Sequence, residues 1–281
     1  MRQPRLVHRV VLVVLDGLRP DAIESYGLPH LTRLGRCGAA TLSATTVAPS
    51  VTAACMTSLL TGVDPERHGL RDSKFRIPRS RAPIHPLTKV LAEADLPTSA
   101  FVCQVPWIMR GLGRRIARKL GIADAHFVGR QAADVLVAAR QTLLRQRDGL
   151  VLMHWPDADE AGHAHGWMSP AYELAAHRLD LAFGALASLI GLPESADTLL
   201  IALADHGGGG EVANDHESAH PLDRTIPFLM VGGGVDRSML GADVSLLDAA
   251  PTVLHALGVS VPESYGGRPL VEAFARRTAV A

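Results

Sequence analysis

Two continuous apolar runs that break off at a carboxylate and a glycine constrain this chain more than any other feature. Arg9-Val10-Val11-Leu12-Val13-Val14-Leu15 stops at Asp16-Gly17, and Leu199-Leu200-Ile201-Ala202-Leu203-Ala204 stops at Asp205-His206 and four glycines. Runs this short, apolar throughout and rich in branched side chains, are strands covered on both faces, as in a parallel sheet wrapped by helices. Open sheets of that kind bind ligands just beyond the carboxyl ends of their strands. Two such strands ending at one edge would bring Asp16 and Asp205 together, with His206 beside them. Asp and His are donors that zinc accepts, and glycine lets other groups come close. Asp-His-Gly also makes an ordinary turn, so the reading depends on what the rest of the chain supplies.

A third apolar run, residues 149–154, leads into Trp155-Pro156-Asp157-Ala158-Asp159-Glu160-Ala161-Gly162-His163-Ala164-His165-Gly166. Asp159 and His163 are four apart, so on a helical turn they project the same way and form a two-point grip on a metal ion. His154, Asp157 and His165 are competing donors nearby. Asn214-Asp215-His216-Glu217-Ser218-Ala219-His220 offers a last ligand, either His216 or His220. Thr52 stands at the head of a short apolar helix that Gly62 ends. There it meets unpaired N–H groups and the positive end of the helix dipole. It serves either as a cap, with Ser50 as the other candidate, or as a nucleophile.

The remaining pattern completes an α/β domain. Helices are expected from Pro29 to a stop at Gly35 or Gly38, and over 85–94, 131–145, 170–189 and 246–258, the last with a structural His255, and strands over 98–103 and 226–231. Residues 62–86 read as a long polar loop. The expectation is one domain over residues 1–281: three α/β/α layers, a mostly parallel central sheet and at most a minimal cap, for which about 104–130 is the candidate.

Charge narrows the function classes. Lys and Arg together number 28, as do Asp and Glu, which argues against a general nucleic-acid or anionic-membrane surface. The basic run Arg110, Arg114, Arg115, Arg118 and Lys119 reads as a solvated helix face, with an anion-contacting surface as the alternative. Three widely spaced cysteines with no C-x-x-C pair suggest neither a disulfide framework nor a cysteine zinc site. Residues 10–15 are too few to span a bilayer and have no small-residue cleavage site behind them. A cytoplasmic protein with no membrane or specific nucleic-acid partner is expected, its oligomeric state left open.

Taken together, the ordered segments resemble the alkaline phosphatase superfamily, in its type I phosphodiesterase/nucleotide pyrophosphatase branch. The resemblance runs from about Val10 to Pro269. It is carried by Leu15-Asp16-Gly17-Leu18-Arg19-Pro20-Asp21, Pro49-Ser50-Val51-Thr52, Leu60-Thr61-Gly62-Val63-Asp64-Pro65-Glu66-Arg67-His68-Gly69, Asp159-Glu160-Ala161-Gly162-His163, Ala204-Asp205-His206-Gly207 and His216. It implies that Asp159, His163 and His216 hold one zinc ion, and Asp16, Asp205 and His206 a second. Thr52 would lie between them as nucleophile and form a phospho-threonine intermediate, with the amide of Ala53 assisting the phosphoryl oxygens. Manganese is an alternative to zinc for these donor types. Cys55 stands where many nucleotide pyrophosphatases carry an Asn that hydrogen-bonds the phosphoryl group, and it is a weaker donor. No nucleobase-stacking aromatic pair can be located, so the expected substrate is a small phosphate ester, a diester in preference to a monoester. The same residues would serve C–P hydrolysis of the phosphonoacetate hydrolase kind. A sulfatase lacks its C/S-x-P-x-R context here, and a phosphoglycerate mutase normally has a Ser nucleophile and an inserted second domain. The reading of a different class is a non-catalytic metal-binding protein on the same fold.

Overall fold

A computed structural model of the chain describes residues 4–72, 83–102 and 107–274. Eight strands form one sheet: β1 (Arg9–Leu15), β2 (Ala39–Thr45), β3 (Thr98–Val102), β4 (Asp124–Phe127), β5 (Gly149–Trp155), β6 (Thr198–Leu203), β7 (Thr225–Gly232) and β8 (Ser238–Met239). Their spatial order is β4-β3-β5-β1-β6-β7-β2-β8. Only β7 runs against the rest, so the sheet is mostly parallel, as its apolar runs predict. β1 lies between β5 and β6 in parallel register, with Val14 opposite both His154 and Leu203. All three strands are buried along their whole length.

Helices cover both faces, which is why these strands need no polar alternation. Pro29–Cys37, Ala132–Arg145 and Pro170–Leu189 pack together on one side. Thr52–Thr61, Leu87–Glu93 and Ala249–Ala256 pack together on the other. The architecture is three-layered α/β/α. The helix Pro29–Cys37 stops at Gly38 and runs through Gly35, the other candidate stop, while the stop at Gly62 falls as the sequence places it, in the left-handed conformation (φ 64°). β2, β4 and β8 are too short or too polar to stand out in the sequence, and residues 65–68 of the expected loop form a helical turn.

The segment considered for a cap divides three ways. Residues 103–106 lie outside the described residues. Trp107–Lys119 is a helix that packs against β4, and β4 pairs in parallel with β3 as the edge of the main sheet. Arg114, Arg115, Arg118 and Lys119 are exposed on that helix, in keeping with a solvated face. Among the described residues, no helix is long and apolar enough to cross a membrane.

Candidate metal centre

The carboxyl ends of β1, β5 and β6 converge on one point, and the chain beyond each strand delivers a carboxylate there. Asp16 follows β1 directly, Asp205 follows β6 after one residue, and Asp159 enters on the helix Asp157–His165 after β5. The turn at Gly17 is what lets them meet. Gly17 has φ 68°, and a Cβ there would lie 2.8 Å from the Asp159 Cα. The Asp159 amide donates to the Asp16 carbonyl at 3.0 Å, and the Gly17 amide reaches Asp205 Oδ1 at 3.4 Å. Any side chain at position 17 would push Asp159 out of reach.

Four residues around this turn were not singled out as site residues by sequence. The Trp167 indole N–H and the Tyr172 hydroxyl both donate to the Gly17 carbonyl at 2.9 Å. Tyr172 in turn accepts from the Arg19 amide, and Arg19 Nη1 donates to the Gly208 carbonyl at 3.2 Å. Trp167 fills the space that side chains on Gly208 and Gly209 would take, its indole at the first and its Cβ at the second. The glycine run is therefore a seat for Trp167, which also packs edge-on to His163 and His216. His154, near the end of β5, is the fourth, weighed in the sequence only as a competing donor; its Nε2 stands 3.1 Å from Asp16 Oδ2.

The histidines share one device. His206 Nδ1 lies 2.8 Å from the Gly207 carbonyl, His216 Nδ1 lies 2.6 Å from the Ser50 carbonyl, and His163 Nδ1 lies 3.0 Å from the Asn214 carbonyl. A carbonyl only accepts, so each Nδ1 carries the proton and, in the neutral ring, each Nε2 presents a lone pair. Those Nε2 atoms point at the carboxylates. His206 Nε2 is 3.2 Å from Asp16 Oδ1, 3.6 Å from Asp205 Oδ2 and 3.8 Å from Asp159 Oδ1. His216 Nε2 is 3.8 Å and His163 Nε2 3.4 Å from Asp159 Oδ1. Backbone carbonyls that fix the tautomer and aim of an imidazole are the usual outer support of metal-binding histidine.

The carboxylates lack what buried carboxylates ordinarily have. Asp16 Oδ1, Asp159 Oδ1 and Asp205 Oδ2 are buried without a hydrogen-bond partner. Burial and the charge of Asp16 push Asp159 up to about 6 and Asp205 up to about 7. Burial also opposes ionisation of Asp16, but His154 and His206 outweigh it and hold Asp16 well below the usual carboxylate range. For His206, burial works against the charged ring, yet Asp205 and Asp16 prevail and raise it to about 10. Burial and the nearby His206 bring His216 down to about 4. Three carboxylates crowded together with buried oxygens ask for positive charge. Two compact groups of buried or half-buried donors meet that need, Asp159 with His206 and His216, and Asp16 with His154 and Asp205. The donor set fits divalent metal.

Thr52 belongs to this cluster and not to helix capping. It is the first residue of its helix, the cap position is Val51, and no side chain caps that end. Thr52 Oγ1 instead lies 3.0 Å from His206 Nε2. Ser50 is no cap either: its hydroxyl donates to the His216 carbonyl at 2.5 Å, so the Ser50 and His216 loops clamp each other. Ala53 stands in the first turn beside Thr52. Cys55 lies beneath the site, fully buried, with its sulfur accepting from the Thr46 hydroxyl at 3.4 Å. His220 is occupied elsewhere, capping the helical turn Pro221–Arg224, which leaves His216 as the residue of that loop in the cluster. His163 and Thr52 form the solvent side, His163 with 45% of its side chain exposed.

An open, mostly parallel sheet thus carries this cluster at its carboxyl edge, the place where sheets of this kind bind ligands. The model of the type I phosphodiesterase/nucleotide pyrophosphatase family matches residues 10–89 and 112–245. The chain belongs to that family. Among solved structures it is similar to murine ectonucleotide pyrophosphatase/phosphodiesterase 5, at TM-score 0.71 and 14% identity over 95% of this chain and 100% of that one. It is also similar in fold to a phosphonate monoester hydrolase from Silicibacter pomeroyi, at TM-score 0.65 and 16% identity over 94% of this chain and 76% of the other. Curated relatives include 2,3-bisphosphoglycerate-independent phosphoglycerate mutases. That of Natronomonas pharaonis is 27% identical over 72% of this chain and 43% of its own length; that of Thermomicrobium roseum is 30% identical over 50% and 27%. The chain thus spans under half the length of these mutases.

Proposed function

We propose that this protein hydrolyses small phosphate esters, diesters in preference to monoesters, with Thr52 as nucleophile and two divalent ions, zinc in preference to manganese, held by Asp16, Asp159, His163, Asp205, His206 and His216. One observation carries the reading: three imidazoles with Nδ1 tied to carbonyls turn Nε2 towards three carboxylates with orphaned oxygens, and Thr52 Oγ1 sits at 3.0 Å from the innermost ring. Charge supports it as well. Three carboxylates and an ionised Thr52 would carry four negative charges, which two divalent ions balance.

When bound, two such ions neutralise the phosphoryl oxygens and lower the pKa of a coordinated hydroxyl or water. The remaining work falls to the chain. The Thr52 oxygen attacks phosphorus, a Thr52 O–P bond forms and the bond to the leaving oxygen breaks in line. Water then cleaves the phospho-threonine and restores the hydroxyl. Free amides in the first turn of the Thr52 helix, that of Ala53 among them, face the transferring group with the positive end of the helix dipole. Fixed imidazole tautomers hold the donors in place through both steps. With His163 and Thr52 at the solvent side, varied leaving groups could enter.

The test is hydrolysis of p-nitrophenyl phosphate, bis-p-nitrophenyl phosphate and p-nitrophenyl sulfate by zinc- and manganese-loaded protein. Turnover of the diester, lost on chelation, is the expected result. Turnover of the sulfate alone would overturn the reading. No ester turnover with two metals bound would redirect it to C–P hydrolysis or to a mutase reaction of the kind the relatives are named for.

A further inference from the structure

The family resemblance divides six ligands between two ions and leaves His154 without a role, yet His154 is built into the same cluster. It lies near the end of β5, opposite Val14 of β1 and 8% exposed. Its Nε2 is 3.1 Å from Asp16 Oδ2, while the other oxygen of that carboxylate, Oδ1, is 3.2 Å from His206 Nε2. Asp16 is thus bracketed by two imidazoles, one on β5 and one just beyond the end of β6, the strands on either side of β1. His154, Asp16 and Asp205 each offer a donor atom within 4.8 Å of the others, and all three are buried. Asp205 Oδ2, one of the orphaned oxygens, belongs to this group. The group is as compact as that of Asp159, His206 and His216.

We propose that His154 is a seventh metal donor, which joins Asp16, Asp205 and His206 around the second ion. This rests on the two-metal reading above and adds to it. A catalytic zinc site ordinarily has three protein donors and an open position. A fourth protein donor would retain the ion more firmly, and an added nitrogen would favour zinc over manganese, whose preference is for oxygen. The second site would then be the tighter and more zinc-selective of the two. The first, with the half-exposed His163 among its donors, would exchange its ion sooner.

The experiment is metal binding by metal-free full-length protein: wild type, His154→Gln and Asp205→Asn. Zinc affinities are measured against a chromophoric chelator. The number of bound imidazole nitrogens is counted by electron spin-echo spectroscopy on the manganese-loaded protein. Circular dichroism checks that each variant is folded. For His154→Gln we expect the second zinc to weaken at least tenfold, the first to be unchanged, and the nitrogen count to fall by one. A weaker second zinc with an unchanged nitrogen count would overturn the proposal and make His154 a positioning residue that hydrogen-bonds Asp16. Unchanged affinity and count in His154→Gln, with the second ion lost from Asp205→Asn, would overturn it while leaving the two-metal reading intact. Two ions retained in Asp205→Asn would sink both.

Discussion

This protein buries carboxylates in two different ways. Away from the strand ends, every oxygen that matters has a backbone partner. Asp180, from the helix Pro170–Leu189, accepts from the amides of His30 and Leu31 at 3.1 and 2.8 Å and so caps the helix Pro29–Cys37, whose own cap residue is Leu28. Asp223 accepts from the amides of Gly210 and Ser218 and from the Ser218 hydroxyl, and Asp248 from those of Ser245 and Arg268. At the carboxyl edge of the sheet, Asp16, Asp159 and Asp205 each keep an oxygen with no such partner. The first group repays its desolvation through hydrogen bonds made on folding. The second is kept in a state that folding alone does not satisfy. The difference separates acids whose oxygens are satisfied by the fold from acids whose donor atoms fit a divalent metal.

The comparison can be broken most sharply at Thr52, which adjoins the second group. Thr52→Ala should lower diester turnover at least about a thousandfold, the scale expected when a nucleophile is removed. Metal content by atomic emission should be unchanged, because the carboxylates and imidazoles remain. Full activity in that variant would make bound hydroxide the attacking group.

Acids of the two groups should then respond oppositely. Asp180→Ala leaves two helix-start amides without an acceptor and should cost about 2–3 kcal/mol in urea denaturation, with no change in metals bound. Asp205→Asn, measured in the presence of chelator, should be neutral or stabilise the protein by about 1 kcal/mol, because it removes a buried charge close to Asp16. The same substitution should abolish activity in excess zinc. A destabilised metal-free Asp205→Asn would erase the distinction between the groups.

The smallest effect is expected at His68, a buried histidine satisfied within the fold. Its Nδ1 accepts from the Leu70 amide at 3.1 Å, so its Nε2–H donates to the Ser58 hydroxyl at 2.9 Å. Burial holds this ring below the usual histidine range. The unfolded chain therefore takes up the proton first as pH falls, and the stabilisation is present above about 6.5 and lost below it. The loss cannot exceed about 1.4 kcal/mol per pH unit for one proton. His68→Gln should remove that part of the slope in denaturation curves taken between pH 7 and 5. An unaltered slope would mean that other groups account for it.

Much of this was legible in the sequence because it was local. The apolar runs ending at Asp16 and Asp205 and the four-residue spacing of Asp159 and His163 sit within single elements, where hydrophobic period and spacing fix strand, helix and side-chain direction. Donor types can be read the same way, and the family motif narrowed His216 and His220 to His216. What the sequence could not hold was pairing across the chain. That β1 lies between β5 and β6, that Asp180 caps a helix 150 residues away and that Trp167 seats on the glycine run are decided by strand order and packing. Thr52 shows the limit most plainly. Its position at a helix start favoured a cap over a nucleophile, and only the approach of His206 from beyond the end of β6 sets it beside the carboxylate cluster. A side chain's chemistry is set by what surrounds it, and in this protein those surroundings come from segments more than 100 residues apart.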